Sequence, residues 1–162
     1  MPPEVEELYR AASRDAPLCE PPEVAGGFAS LYGALLVRPH LITVSLRDAG
    51  RLVGFAYGHP WRWQEQTDPW GAQLRARLGD AADLIEDSFA VYLLAVDPAW
   101  RRQGVGTALL DRLLAEARTP SWLVTRDEPT PARVLYERHG WRPVGHGPDA
   151  PDGRPGLVLL RD

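Results

Sequence analysis

Two arginines and two glycines lie close together in the segment from Arg101 to Gly106, which reads Arg-Arg-Gln-Gly-Val-Gly. Guanidinium groups form paired hydrogen bonds with phosphate oxygens. Glycines let a ligand approach the backbone because they lack a Cβ atom. At a helix N-terminus, unpaired N–H groups and the positive end of the dipole add to the attraction for an anion. These residues therefore predict a site for a phosphorylated ligand.

The segment lies between a predicted strand and a predicted amphipathic helix. Residues 90–98 form an apolar run typical of a strand that is covered on both faces, and Pro98 ends it because proline cannot donate to a sheet. After the segment, Val105, Leu109 and Leu113 repeat at helical spacing. The pattern predicts a strand, a tight turn and a helix in that order.

Two common phosphate loops are excluded by residue type. A Walker A loop needs a Gly-Lys-Ser/Thr sequence, and this chain contains no lysine. A dinucleotide-binding fingerprint needs a third small residue at the position where Leu109 stands. The segment therefore belongs to a different class of phosphate site.

Residues 96–106, Val-Asp-Pro-Ala-Trp-Arg-Arg-Gln-Gly-Val-Gly, resemble the acetyl-CoA loop of the GCN5-related N-acetyltransferases, the GNAT superfamily. Residues 132–141, Ala-Arg-Val-Leu-Tyr-Glu-Arg-His-Gly-Trp, are similar to that family's Ala-x-x-Leu/Phe-Tyr-x-x-x-Gly-Phe segment. The first half of the chain matches only in the order of its elements. The resemblance implies an α/β fold, with a mixed and mostly antiparallel sheet flanked by helices, in a single domain over residues 1–162.

The resemblance also implies that the chain is an acetyltransferase whose cosubstrate is acetyl-CoA. Pantetheine would bond to the backbone of the strand, and pyrophosphate would lie on the N–H groups of residues 102–107. The implied cofactor-binding residues are Leu94, Ala95, Val96, Arg101, Arg102, Gln103, Gly104, Val105, Gly106, Thr107, Ala132 and Arg133. For Arg133, a solvated helix face is the alternative interpretation.

Tyr136 matches the family tyrosine that protonates the leaving thiolate. A core aromatic residue at helical spacing is the alternative interpretation of this position. The sequence departs from the family at Pro129, where relatives often place an asparagine that contacts CoA.

The general base is not given by the resemblance. Many relatives carry a carboxylate in the strand before the loop, but here that strand offers Ala90, Tyr92 and Leu93. Our hypothesis is that Glu86 or Asp87 removes the amine proton through a water molecule. An acidic turn that caps a surface flap is the alternative.

Histidines add one candidate to this set. None of the four histidines has a partner at metal-ligand spacing, so no metal site is expected. His59 is the one histidine that we consider as an alternative base.

Residues 59–87 form an irregular, tryptophan-rich and acidic segment, in which residues 71–85 predict one or two short helical pieces. Its indoles, Trp61, Trp63 and Trp70, and its carboxylates suit a cation, and this composition predicts a lid over the acceptor site. The alternative is a surface flap whose tryptophans pack on the sheet. The lid favours a small cationic amine as acceptor, such as an aminoglycoside-like compound or a polyamine. A protein N-terminus or lysine, or an acyl-CoA-binding domain without catalysis, are the other candidates.

The remaining patterns predict helices over residues 3–14 and 23–37 and a hairpin of strands at 41–46 and 51–58. Further strands are predicted at 121–126, from 141 and at 156–161, with a helix that begins at Pro129 or Pro131. In the GNAT family a strand usually precedes the first helix, and this chain starts after it. The strand at 41–46 is then an uncovered edge. Either a second subunit pairs with it, as a homodimer, or the start site lies too far downstream.

The composition of the chain limits the classes of partner and the location that we expect for it. A formal net charge of −4 argues against nucleic acid and for a cationic partner. The sole cysteine, Cys19, excludes an internal disulfide. No apolar run approaches a membrane span and the first ten residues lack signal-peptide features, so we expect no membrane contact and a cytoplasmic location.

Overall fold

The computed structural model describes residues 2–162. Its helices are α1 Pro2–Ser13, α2 Pro22–Leu35, α3 Pro69–Leu78, α4 Val105–Ala117 and α5 Pro131–Arg138. Its strands are β1 Ile42–Asp48, β2 Arg51–Trp61, β3 Ser88–Val96, β4 Ser121–Thr125, β5 Arg142–Asp149 and β6 Pro155–Arg161. Short 3-10 helices cover Trp63–Glu65, Gly79–Ile85 and Pro98–Trp100.

The six strands form one sheet in the order β1-β2-β3-β4-β6-β5. β3 and β4 are parallel, whereas the pairs β1/β2, β4/β6 and β5/β6 are antiparallel. The prediction of a mixed, mostly antiparallel sheet with helices is confirmed. As expected, the strand after α2 lies at one edge of the sheet.

The β1–β2 hairpin closes more tightly than its sequence predicts. Asp48 pairs with Arg51, so only Ala49 and Gly50 form the turn, with φ values of 45° and 85°. Two left-handed residues are what a type I′ hairpin turn requires. The predicted turn wrongly included Arg47 and Asp48, which belong to β1.

The residues divide into two compact units, and the first comprises the chain up to Gly58 together with Leu93–Glu116. Within it α4 packs closely on β2. A Cβ atom on Gly54 would stand 2.8 Å from Cδ1 of Leu109 and 3.1 Å from Cγ1 of Val105. Leu109 and the next inward residues of α4 are almost wholly buried. The predicted apolar stripe of this helix is therefore the face that packs.

The second unit comprises His59–Tyr92 and Ala117–Asp162. Its core is formed by aromatic and aliphatic side chains of the segment 59–90 and of strands β4 and β6, namely Trp61, Trp63, Leu74, Leu78, Ala82, Ile85, Ala90, Trp122, Val158 and Leu160. In the segment 59–87, β2 continues to Trp61 beyond its predicted end, and α3 and the 3-10 helix Gly79–Ile85 are the short helical pieces that the sequence predicts. Asp68 begins α3 by accepting a hydrogen bond from the Gly71 N–H at 2.8 Å. The organisation of the chain as a single domain stays a prediction.

No helix within residues 2–162 is long and apolar enough to span a bilayer.

Candidate active site

The predicted phosphate loop joins β3 to α4 and leaves the N-terminus of α4 open. The first helical bond of α4 runs from the Ala108 N–H to the Gly104 carbonyl at 3.0 Å. The N–H groups of residues 105–107 therefore have no acceptor within the helix. Gly104 has φ +76°, and a Cβ atom built on it meets nothing within 4 Å. The loop thus places unpaired backbone donors, at the positive end of a 13-residue helix, next to the open space at Gly104.

The three polar side chains of the loop have different environments. Arg101 donates from Nη2 to the carbonyl of Ala12 at 2.7 Å, in the last turn of α1. Gln103 donates from Nε2 to the Ala99 carbonyl at 3.2 Å, which braces the loop internally. Arg102 is exposed and has φ 59°, a left-handed conformation found in backbone nests that bind anions. Among these three, Arg102 offers the guanidinium that is open to a ligand.

The strand that leads into the loop keeps part of its surface open. In the last residues of β3 the side chains of Leu94 and Val96 are half-buried, whereas Ala95 between them is buried. Leu94 and Val96 share one face because side chains alternate along a strand. At the start of β3, parallel register pairs join Phe89 to Ser121 and Ala90 to Trp122.

Tyr136 lies on α5. Thr130 is the N-cap of this helix, because its hydroxyl accepts a hydrogen bond from the Arg133 N–H at 3.2 Å. The Tyr136 ring is 8% exposed and packs edge-on against Trp141, with ring centroids 5.9 Å apart. Burial raises the pKa of Tyr136 to about 12. Its hydroxyl is therefore a proton-bearing donor throughout the neutral range.

Arg133 is engaged by carboxylates of its own unit. Its guanidinium binds Asp127 at 2.8 Å and Glu137 at 2.9 Å. The hydrogen bond to Glu137, followed by the pairing with Asp127, raises the pKa of Arg133. Asp127 also binds Nε2 of His146 at 2.8 Å, which is the main cause of its lowered pKa. Two carboxylates offset the charge of Arg133, which favours the alternative interpretation of Arg133, a residue on a solvated helix face and not a phosphate ligand. The neighbouring Ala132 is exposed.

The two candidate bases are exposed but each has a local partner. Glu86 accepts a hydrogen bond from the Trp63 N–H at 2.9 Å, and Asp87 pairs with Nε of Arg62 at 3.3 Å. The hydrogen bond to Glu86 is the kind of contact expected from the alternative to a general base, an acidic turn that caps a surface flap. A carboxylate keeps further lone pairs after one such bond, so both residues remain candidates. The alternative base, His59, is only 4% exposed.

The tryptophans predicted to form a lid lie mostly in the core. Trp61 is 1% exposed and Trp63 is 7% exposed, and the Trp63 indole donates to the Ala82 carbonyl at 2.9 Å. The Arg75 guanidinium stands over the Trp63 ring, 5.4 Å from its centroid. Their burial, and the cation over Trp63, favour the alternative interpretation at Trp61 and Trp63, which is that these tryptophans pack in the core. Trp70 is 41% exposed and keeps ring surface open.

Asp97 is a buried carboxylate at the end of β3 to which the sequence analysis assigns no role. Its side chain is 6% exposed, pairs with Arg51 and accepts a hydrogen bond from the Ala99 N–H at 2.9 Å. The available signal was an aspartate directly before a proline at a strand end, which is typical of a side-chain-capped turn. No group of three metal-ligating side chains is found within the described part of the chain, residues 2–162.

Comparison with solved structures identifies acetyltransferases of the same fold. An aminoglycoside 6′-N-acetyltransferase complexed with coenzyme A is 18% identical, with a TM-score of 0.65 over 99% of this chain and 89% of that chain. The ribosomal-protein-S18-alanine N-acetyltransferase from Escherichia coli is 19% identical, with a TM-score of 0.61 over 98% and 85%. A structure described as histone acetyltransferase HPA2 and related acetyltransferase, from Corynebacterium glutamicum, is 25% identical, with a TM-score of 0.62 over 98% and 89%.

No curated protein sequence matches the chain. The model of the acetyltransferase (GNAT) family matches residues 4–141, which is most of the chain. This match includes the phosphate loop, the base candidates and Tyr136, and the chain therefore belongs to the GNAT family of acetyltransferases.

Proposed function

We propose that the chain transfers the acetyl group of acetyl-CoA to a primary amine of a small cationic molecule. The open N-terminus of α4, with Gly104 in a left-handed conformation and free space before it, is the observation that carries this proposal. An amide-lined helix end with an exposed guanidinium beside it suits the diphosphate of a nucleotide thioester.

Each part of the cofactor has a counterpart in the chain. The N–H groups of residues 102–107 bind the pyrophosphate, and the Arg102 guanidinium supplies a full positive charge. The backbone of Leu94, Ala95 and Val96 binds pantetheine along the strand. Arg101 holds the loop to α1, as its bond to the Ala12 carbonyl indicates.

Acetyl transfer requires the acceptor to lose a proton first. An alkyl ammonium has a pKa of about 10, so a base must remove its proton before the nitrogen lone pair can attack the thioester carbonyl. We assign this role to Glu86 or Asp87, acting through a water molecule. The attack forms the C–N bond and places negative charge on the thioester oxygen, which a strand N–H stabilises. The attacking nitrogen, which is now positively charged, loses its second proton to water, and the C–S bond breaks to release the CoA thiolate.

Tyr136 assists the departure of the thiolate. A thiol has a pKa of about 8.5, whereas that of Tyr136 is about 12. Full transfer of the phenolic proton to sulfur is therefore unfavourable. The phenol acts mainly as a hydrogen-bond donor that stabilises the thiolate as it forms. Proton exchange with solvent completes the step.

Two observations support a cationic acceptor. The segment 59–87 carries six carboxylates, Glu65, Asp68, Asp80, Asp83, Glu86 and Asp87, against three arginines. A surface rich in carboxylates attracts amines that carry several positive charges. The similarity in fold to an aminoglycoside 6′-N-acetyltransferase agrees with this substrate class.

An amine panel tests the proposal directly. Thiol released from acetyl-CoA is measured with a thiol-reactive dye in the presence of a polyamine, an aminoglycoside, a peptide with a free N-terminus and a lysine peptide. We expect turnover with the small cationic amines. Turnover only with the peptides would refute the acceptor class. Binding of CoA without any turnover would instead indicate an acyl-CoA-binding protein.

We also propose a homodimer formed through the open edge of β1 and a cytoplasmic location. β1 is an edge strand of seven residues and contains neither proline nor glycine, so its backbone groups are available to a second strand. Sedimentation equilibrium tests the dimer. A proline in place of Ser45 is expected to give a monomer, and a wild-type monomer at all concentrations would refute it.

A further inference from the structure

Asp97 is a buried carboxylate at the point where β3 passes into the phosphate loop. All its polar groups are used. Its N–H donates to the Val53 carbonyl at 2.9 Å, and its carbonyl accepts from the Trp100 N–H at 2.8 Å. One carboxylate oxygen accepts from the Ala99 N–H at 2.9 Å, and the other pairs with Nη2 of Arg51.

These contacts reach the phosphate loop through Ala99. The Ala99 N–H is held by Asp97, and the Ala99 carbonyl is held by Nε2 of Gln103. Gln103 directly precedes Gly104, whose carbonyl accepts the first helical bond of α4. A short chain of hydrogen bonds thus connects the Asp97 carboxylate to the residues at the open helix end.

The charge of Asp97 opposes anion binding unless it is neutralised. A carboxylate beside an anion-binding loop repels the anion, and burial weakens the screening of that repulsion by water. Arg51 supplies the opposite charge, and its side chain is 67% exposed, whereas that of Asp97 is 6% exposed. Arg51 therefore both holds the carboxylate and offsets its field.

We infer that Asp97, neutralised by Arg51, is a positioning residue that fixes the phosphate loop in its cofactor-binding conformation. This inference rests on the proposed function, because it concerns the same CoA site. Asp97 touches neither cofactor nor acceptor in this role, and it acts through Ala99 and Gln103.

Four variants test the two parts of this role by calorimetric titration with coenzyme A. Asp97→Ala removes the turn cap, and we expect the Kd to rise about tenfold, as the loss of a cap implies. Asp97→Asn keeps an oxygen for the Ala99 N–H, and we expect a change below about threefold. Arg51→Ala leaves a buried charge unpaired and weakens binding about fivefold. The double variant Arg51→Ala with Asp97→Asn restores the affinity of Asp97→Asn alone.

Steady-state kinetics separate positioning from a loss of folded protein. For Asp97→Ala we expect the KM for acetyl-CoA to rise about tenfold while kcat stays within about twofold. A loss of folded protein would lower kcat and leave KM unchanged. Asp111→Ala, an exposed aspartate on α4, is the matched control and keeps wild-type values.

The outcomes distinguish this inference from the proposed function. A wild-type Kd for Asp97→Ala, or no recovery in the double variant, would overturn the inference while the CoA site stands. If Asp97→Ala does not fold, the other three variants test the inference by themselves, through the recovery of CoA affinity in the double variant relative to Arg51→Ala. Absence of CoA binding by the wild-type chain would overturn both the proposed function and this inference.

Discussion

Replacing Gly104 by alanine adds one carbon atom at the centre of the cofactor loop. Gly104 has φ +76°, a conformation that costs an L-residue about 1 kcal/mol. The added Cβ meets nothing within 4 Å in the free protein, so the strain of the left-handed backbone is the only free-energy cost of the substitution. We expect the free energy of unfolding to fall by about 1 kcal/mol and Tm by about 2–4 °C.

The effect on coenzyme A is expected to be larger than the effect on stability. The open space before Gly104 is where the diphosphate approaches the backbone N–H groups in our proposal. A methyl group there keeps phosphate oxygens beyond the hydrogen-bond distance of about 3 Å. We expect the Kd for coenzyme A to rise at least tenfold, which corresponds to about 1.4 kcal/mol or more.

Gly153→Ala is the matched control. Gly153 has φ +82° and equally open space, but it lies in the turn between β5 and β6. The Gly153→Ala variant is expected to lose as much free energy of unfolding as Gly104→Ala and to keep the wild-type affinity for coenzyme A. Thermal melting and calorimetric titration of both variants supply the comparison. Equal affinity of the two variants for coenzyme A would refute the assignment of the loop.

Three further predictions concern other parts of the molecule. Tyr136→Phe is expected to lower kcat about tenfold or more with little change in CoA affinity. Burial raises the pKa of Tyr136 to about 12, so loss of the Tyr136 proton is not expected to lower the wild-type rate between about pH 7 and about pH 10. A pH–rate profile that falls within that interval only when the tyrosine is present would contradict this. Gly54→Ala places a Cβ 2.8 Å from Cδ1 of Leu109, and overpacking of about 1–2 kcal/mol is expected in a denaturant melt. Arg102→Ala is expected to weaken CoA binding several-fold and to reduce its salt dependence, whereas Arg101→Ala mainly lowers Tm through the lost bond to α1. The reverse ranking of the two arginines in a salt titration would show that Arg101 binds the phosphate.

The loop and its flanking elements were predictable because their signals are local. An apolar run that ends at Pro98, two glycines and an apolar stripe at helical spacing are each decided within a few residues of chain. Helix α4 and the turn before it therefore lie where the sequence predicts, whereas β3 covers Ser88–Val96, two residues earlier than the predicted run 90–98. The edge position of β1 also followed from the order of elements.

The environment of the tryptophans was not predictable from local signals. The sequence pattern predicts that the second strand ends at residue 58, yet β2 runs on through Pro60 to Trp61. The partner of the Trp63 face, Arg75, comes from the following helix and is chosen by tertiary packing. Likewise, no periodicity shows that Arg133 is bound between Asp127 and Glu137.

The two margins of the sheet differ in what they can join. β5 forms one edge and is interrupted by Pro143 and Pro148 and by two register shifts, whereas β1 at the other edge has no proline and one register shift, between Leu46 and Arg47. The β5 edge cannot template another chain along its length. In the homodimer proposed above, chains that pair through β1 have no second open sheet edge, so we expect the assembly to stop at a symmetric pair and not to grow into a fibre.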